Sequence, residues 1–149
     1  MAYVESADKS GDECIFCAHL KESDEDALIL TRAERAFVLM NAFPYNTGHL
    51  MVAPVRHVGD LVDLSDEERN DLMALTVRSE AALRKAMRPD GFNVGVNLGR
   101  VAGAGVPGHV HVHVVPRWGG DTNFMTSVGD AKVLPEALQD TYKKLRAHF

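Results

Sequence analysis

The run His109-Val-His111-Val-His113 constrains this chain more than any other feature. Side chains alternate across an extended backbone, so the histidines share one face and Val110, Val112 and Val114 share the other. Valines suit a core. Imidazoles do not, because each buried ring needs hydrogen-bond partners, and a row of them is a costly way to fill space. A solvated histidine face is the plain alternative. A zinc site made of the row alone is another, but its outer rings stand roughly 13 Å apart at about 3.3 Å per residue, which is too wide for one ion. Division of labour suits the spacing better, with one ring as a nucleophile and its neighbours orienting it or donating protons to oxygen.

The surrounding pattern predicts an α+β fold, an antiparallel sheet with one long helix and a closing C-terminal helix. Ala36–Met40 and His49–Pro54 read as strands around the turn-forming segment Asn41-Ala-Phe-Pro-Tyr-Asn-Thr-Gly48. From Ser65 a capping residue, an acidic first turn, the helical spacing of Leu72, Leu75, Ala82 and Leu83, and basic residues before Pro89 predict a helix. Strands follow at Phe92–Asn97 and His109–Pro116, joined by a glycine-rich loop from Gly99 to Gly108, and 134–148 reads as the closing helix. Residues 1–12 are polar and small and read as a flexible arm; residues 13–149 read as a single domain.

A net charge of −5 argues against broad binding to nucleic-acid polymers, which depends on clustered Lys and Arg. An anionic ligand must then be met locally. The absence of a leader pattern or a long apolar stretch leads to the expectation of a cytoplasmic protein without a membrane partner. Two cysteines, Cys14 and Cys17, are too few and too close for a disulfide framework. The spacing Cys14-Ile-Phe-Cys17 alone leaves a redox pair, half of a zinc site and an unfilled vestige all open.

With its neighbours, the histidine run resembles the histidine triad hydrolases and transferases, whose signature alternates three histidines with apolar residues. The resemblance takes in Asn41, Gly48-His49-Leu-Met-Val-Ala-Pro54, Asn97-Leu-Gly99, His109–Val115 and Pro116-Arg117-Trp118, about residues 14 to 125. It implies that His111 attacks an α-phosphate to give a nucleotidyl-histidine, that His113 hydrogen-bonds phosphate oxygens, and that no catalytic metal is required. It also implies that Asn41 meets the ribose hydroxyls, that His49 lies beside the substrate, and that the apolar Phe16, Leu39 and Phe43 flank a base, most naturally adenine. Arg117 and Trp118 are then candidates for the outer phosphates and the second base of a dinucleotide. Gly99, Gly103, Gly105 and Gly108 can present backbone N–H groups to phosphate. Many relatives place Gln and then Ser or Thr before the triad, where this chain has Ala104-Gly105-Val106-Pro107-Gly108. Asn97 is the candidate to stand in for the missing hydroxyl.

In relatives with the cysteine pair, the resemblance supplies two further ligands, here His57 and the first triad histidine, His109, with His19 as a fallback. A four-ligand set of this kind makes zinc structural, because no coordination position is left open. The implied activity is cleavage of dinucleoside polyphosphates such as diadenosine tetraphosphate, by hydrolysis or phosphorolysis, in a homodimer. A nucleoside phosphoramidase and a nucleotide-binding module without turnover are the alternatives.

Overall fold

The computed structural model describes residues 14–121 and 137–149. The expected arm, residues 122–124 of the segment after Trp118 and the start of the closing helix at 134–136 lie outside them. In chain order the described elements are α1 (Ile15–Leu20), α2 (Asp24–Ala27), β1 (Ile29–Arg32), β2 (Ala36–Met40), β3 (Leu50–Pro54), α3 (Asp66–Met87), β4 (Gly91–Val96), β5 (Val112–Arg117) and α4 (Leu138–Arg146). Single 3-10 turns occupy Leu61–Asp63 and, within the glycine-rich loop, Arg100–Ala102.

Helix α3 begins where its cap dictates. The Ser65 hydroxyl accepts the Glu68 N–H at 3.1 Å and the Glu68 carboxylate accepts the Ser65 N–H at 2.8 Å, which satisfies two donors that a helix start otherwise leaves without partners. Leu72, Leu75, Ala82 and Leu83 are all buried. Glu68 also takes Arg56 at 2.7 Å, and that guanidinium holds its carboxyl down to about 2. The segment leading to His57 is thereby fixed to the start of α3.

The five strands are antiparallel throughout, in the order β1-β2-β3-β5-β4. Strands β2 and β3 are buried along their whole length, because both faces of the sheet are covered. On one face Val38, Val52, Val112 and Val114 pack with α3 residues and with Tyr142 and Leu145 of α4. On the other, Phe37, Leu39, Met51 and Ala53 pack with Cys14 and Phe16, next to the histidines.

The structure departs from the sequence reading in three places. Strand β1 and helices α1 and α2 were not anticipated; they are four to six residues long, below the length at which a periodicity becomes legible. The strand that carries the triad begins at Val112 rather than His109, since the Val110 N–H goes to the Val58 carbonyl at 2.7 Å instead of into the ladder. Alternation nevertheless persists, because Val110 lies in the same cluster as Val112 and Val114. The closing helix covers Leu138–Arg146, with Ala147 as its C-cap.

Gly48 decides how the segment between β2 and β3 meets the rest of the fold. Its φ is +85°, and a Cβ there would lie 2.9 Å from Met87 Sδ and 3.1 Å from Pro116 Cγ. Only glycine lets this backbone press against the end of α3 and against β5, and the next residue is His49.

Candidate active site and metal centre

Tautomers at the site follow from its hydrogen bonds. His109 Nε2 lies 2.7 Å from the Pro54 carbonyl oxygen, which can only accept, so Nε2 carries the proton and Nδ1 the lone pair. That Nδ1 is 3.4 Å from Cys14 Sγ, 3.6 Å from Cys17 Sγ and 3.3 Å from His57 Nδ1, and Cys17 Sγ is 3.6 Å from His57 Nδ1. All four ligand atoms lie within 4.8 Å of one another. A zinc tetrahedron with bonds of about 2.05 Å to nitrogen and about 2.3 Å to sulfur has N–N edges of about 3.3 Å and N–S edges of about 3.6 Å, so these donors fit it in type and spacing. Burial pushes the His109 pKa down to about 4, which keeps the ring neutral as a ligand must be. The carbonyl behind it fixes the ring as metal-binding histidines require. His19 is outside this set; its Nδ1 pairs with Glu22 Oε1 at 3.2 Å on the surface.

His111 is oriented by the residue two before it. Its Nδ1 donates to the His109 carbonyl at 2.9 Å, which leaves the lone pair of a neutral ring on Nε2. Burial lowers its pKa and so favours that neutral form. The ring of Phe16 sits 4.7 Å from it, centroid to centroid, and the ring of His113 stands edge-on at 4.8 Å.

A second chain of bonds ends at His113. The Tyr45 backbone N–H donates to His49 Nδ1 at 3.2 Å, and the Asn41 amide nitrogen is 3.5 Å from the same atom. The proton of His49 is therefore on Nε2, which donates to His113 Nδ1 at 2.8 Å. By elimination the His113 proton is on Nε2. Burial, reinforced by mutual repulsion among the rings, brings both His49 and His113 down to about 4. Both are neutral near pH 7, and each has a single assigned tautomer.

Beside His113 is a cavity of about 360 Å³ lined by Asn93, Val94, Gly95 and Asn97 of β4 and its exit, by Val115 and Arg117 of β5, and by Tyr45, Asn46 and Asp121. Asn93 and Gly95 face Val115 and His113 across the ladder, so the pleat aims these residues at one hollow.

The other expected site residues fall in varied places. Asn97 lines the cavity, with its amide 3.5 Å from the Gly103 carbonyl. Gly105 is exposed, whereas the Gly103 N–H is bonded to the Arg100 carbonyl at 3.0 Å and does not point outward as expected. Phe16 and Leu39 are almost wholly buried in one cluster, with the Phe16 ring against His109 and His111. Phe43 is 87% exposed, in a turn closed by its N–H bond to the Asn41 side-chain oxygen at 2.8 Å. Arg117 is clasped by Asp121 through Nε at 2.8 Å and Nη2 at 2.9 Å, and reaches Asn93 through Nη1 at 2.6 Å. Trp118 is half-buried, and its N–H also bonds Asp121. Sequence reasoning missed Tyr45, Asn46, Asn93 and Asp121. The period-two step from Gly95 to Asn93 was a usable signal for one of them; the others become neighbours only when loops distant in the chain meet.

A family model described as HIT domain matches residues 22–120. A protein named AP-4-A phosphorylase from Mycobacterium tuberculosis is 50% identical over 127 residues, 85% of this chain, and the chain spans 65% of that relative's length. A crystal structure of a Zn-bound histidine triad family protein from Mycobacterium smegmatis superposes with a TM-score of 0.74 at 26% identity, over 93% of this chain and 94% of that one. The crystal structure of the C. elegans NitFhit protein gives a TM-score of 0.64 at 30% identity, over 80% of this chain and 26% of that one. The matched segment contains His49, His57 and the whole triad and spans most of the stretch over which the sequence carries the resemblance, and the chain belongs to the HIT domain family.

Proposed function

We propose that this chain is a nucleotidyl hydrolase or transferase that cleaves dinucleoside polyphosphates at the α-phosphate, with His111 as the nucleophile. The observation that carries the reading is the bond from His111 Nδ1–H to the His109 carbonyl, which commits the Nε2 lone pair to attack. The 50% identity to a protein named AP-4-A phosphorylase supports the choice of substrate class.

In the first step the Nε2 lone pair forms a bond to the α-phosphorus and the bond to the bridging oxygen breaks, its electrons leaving with the departing phosphate. The His113 Nε2–H hydrogen-bonds that oxygen; full proton transfer is unnecessary, since phosphate dianions are stable near neutral pH, with a second pKa of about 6. The nucleotidylated ring keeps its Nδ1–H and is cationic, hence a good leaving group, and the His109 carbonyl opposes that charge. In the second step water or inorganic phosphate attacks phosphorus and His111 Nε2 recovers its lone pair. Water gives a nucleoside monophosphate and releases its proton to solvent; phosphate gives a nucleoside diphosphate.

Asn41 is the candidate for the ribose, Phe43 for the first base, with Phe16 and Leu39 beneath, and Asn97 and Gly105 for the phosphates. His49 sets the His113 tautomer. The far nucleoside would lie along β4 and β5 toward Arg117 and Trp118. Zinc on Cys14, Cys17, His57 and His109 supplies a structural cross-link between α1 and the segments before α3 and β5. A homodimer and a cytoplasmic setting complete the reading. They are supported by the open edge of β4, unpaired among the described residues, and by a cysteine pair whose sulfurs are placed with two histidines as a metal-ligand set rather than joined as a disulfide.

Incubation with diadenosine tetraphosphate, with and without inorganic phosphate, tests the proposal. ADP formed only with phosphate means phosphorolysis, and AMP with ATP means hydrolysis. Turnover of a nucleoside phosphoramidate alone would favour a phosphoramidase, and nucleotide binding without any product would reduce the chain to a binding module.

A further inference from the structure

We propose that Asp121 is a specificity-determining residue that makes the cavity beside His113 accept a leaving group capped by a nucleoside and reject a bare polyphosphate end. The inference rests on the nucleotidyl-transfer reading of His111 and His113 and concerns what lies beyond them. Strand β5 runs from the triad toward Arg117, which follows His113 by four residues, roughly 13 Å along the strand. A leaving group released beside His113 therefore extends toward Arg117.

Arg117 is the only cationic side chain among the described residues that line this cavity, and it does not act as a lone cation. Asp121 grips it with both carboxylate oxygens, at 2.8 and 2.9 Å, in the bidentate geometry that planar guanidinium favours. The same carboxylate accepts the Trp118 N–H at 3.0 Å and the Asn46 amide at 2.8 Å, so four donors converge on it. It is only 11% exposed, and these donors hold its pKa far below the usual carboxylate range, which keeps it charged at any working pH. Arginine and aspartate together are neutral. His113 is neutral as well, and the remaining polar lining is made of the uncharged Tyr45, Asn46, Asn93 and Asn97.

Among the described residues, such a wall has hydrogen bonds to offer and no net charge. A terminal triphosphate carries several negative charges, and its loss of water here would be opposed by no excess of positive charge. A ribose and base are uncharged, can pair with amides, and can lie against the largely exposed ring of Tyr45. Asp121 thus distinguishes two molecules that are identical at the reacting phosphorus.

The test compares diadenosine tetraphosphate with adenosine 5′-tetraphosphate, which share the adenylyl group and differ in whether the far phosphate is capped. The ratio of their kcat/KM values is independent of how much of a variant is folded. Asp121→Asn, nearly isosteric, should shift that ratio toward the bare substrate by at least about tenfold and tighten binding of inorganic tripolyphosphate, measured by calorimetry, by a similar factor. The double variant Asp121→Asn with Arg117→Gln removes both charges and should return the ratio to within about threefold of wild type. A ratio unchanged within twofold in Asp121→Asn, or one shifted toward the capped substrate, overturns the proposal. If the wild-type protein cleaves neither nucleotide, the transfer reading fails, and the tripolyphosphate measurement still decides the role of Asp121.

Discussion

The carbonyl of His109 receives the Nδ1–H of His111 at 2.9 Å, while the ring of the same His109 turns its own Nδ1 toward two thiols and a second imidazole. One residue therefore belongs to the candidate metal ligands by its side chain and orients His111 by its backbone. Replacing its ring alters the first directly and the second only through position.

His111→Ala should abolish turnover while leaving nucleotide binding within a few-fold of wild type, since the lone pair that forms the covalent bond is removed and the walls of the cavity are not. Rapid quenching of wild-type protein with labelled substrate, without acid, should trap nucleotide in a bond stable to base and labile to acid. Retention of more than about a hundredth of wild-type turnover by the variant would remove His111 from its role.

Purified protein expressed with adequate metal should contain close to one equivalent of zinc, lost in Cys14→Ala or on prolonged chelation. The thermal midpoint should fall with the metal, because binding free energy at a structural site is folding free energy. Less than about a tenth of an equivalent in the wild type would count against the centre.

Stability should decline as pH falls from about 6.5 toward 4. His49 and His113 titrate near 4 when folded, against 6.5 for a free imidazole, so between these values the unfolded chain binds the extra protons. Their contribution is complete above pH 6.5 and lost by about 4, with each ring adding at most about 1.4 kcal/mol per pH unit within that window. Urea midpoints measured across pH 7 to 4.5 should show this slope, shallower in His49→Gln; equal slopes would mean that the pair does not titrate as described.

Gly48→Ala should destabilise the fold by about 1–3 kcal/mol, from the positive φ and from crowding against Met87 and Pro116. Chemical denaturation measures the loss, and a change below about 0.5 kcal/mol would show that this turn can relax.

Elements with a long period or an explicit cap were legible in the sequence: α3 from Ser65, β2 at its observed limits, and the valine side of the triad. Four-ligand closure around Cys14 was legible only through family resemblance, because its donors come from segments up to 95 residues apart. Arg117 was a candidate for the outer phosphates by its place just beyond the triad; its partner Asp121 sits four residues on, in a turn whose geometry no periodicity announces. Phe16 and Leu39 were read as flanking a base, and only the fold shows both buried in one cluster, Phe16 against His109 and His111.

The position of β5 has a consequence in time. It is the last of the described strands, yet it lies between β3 and β4, taking Met51 on one side and Gly95 on the other as neighbours of His113. A chain still emerging from the ribosome can form the β1–β2–β3 meander and α3 early, but the hollow beside His113 has no floor until residue 117 has been made and threaded between strands already waiting. Loop closures of this range are slow to form. A nascent chain stalled before that strand has the meander and α3 but no complete hollow beside His113.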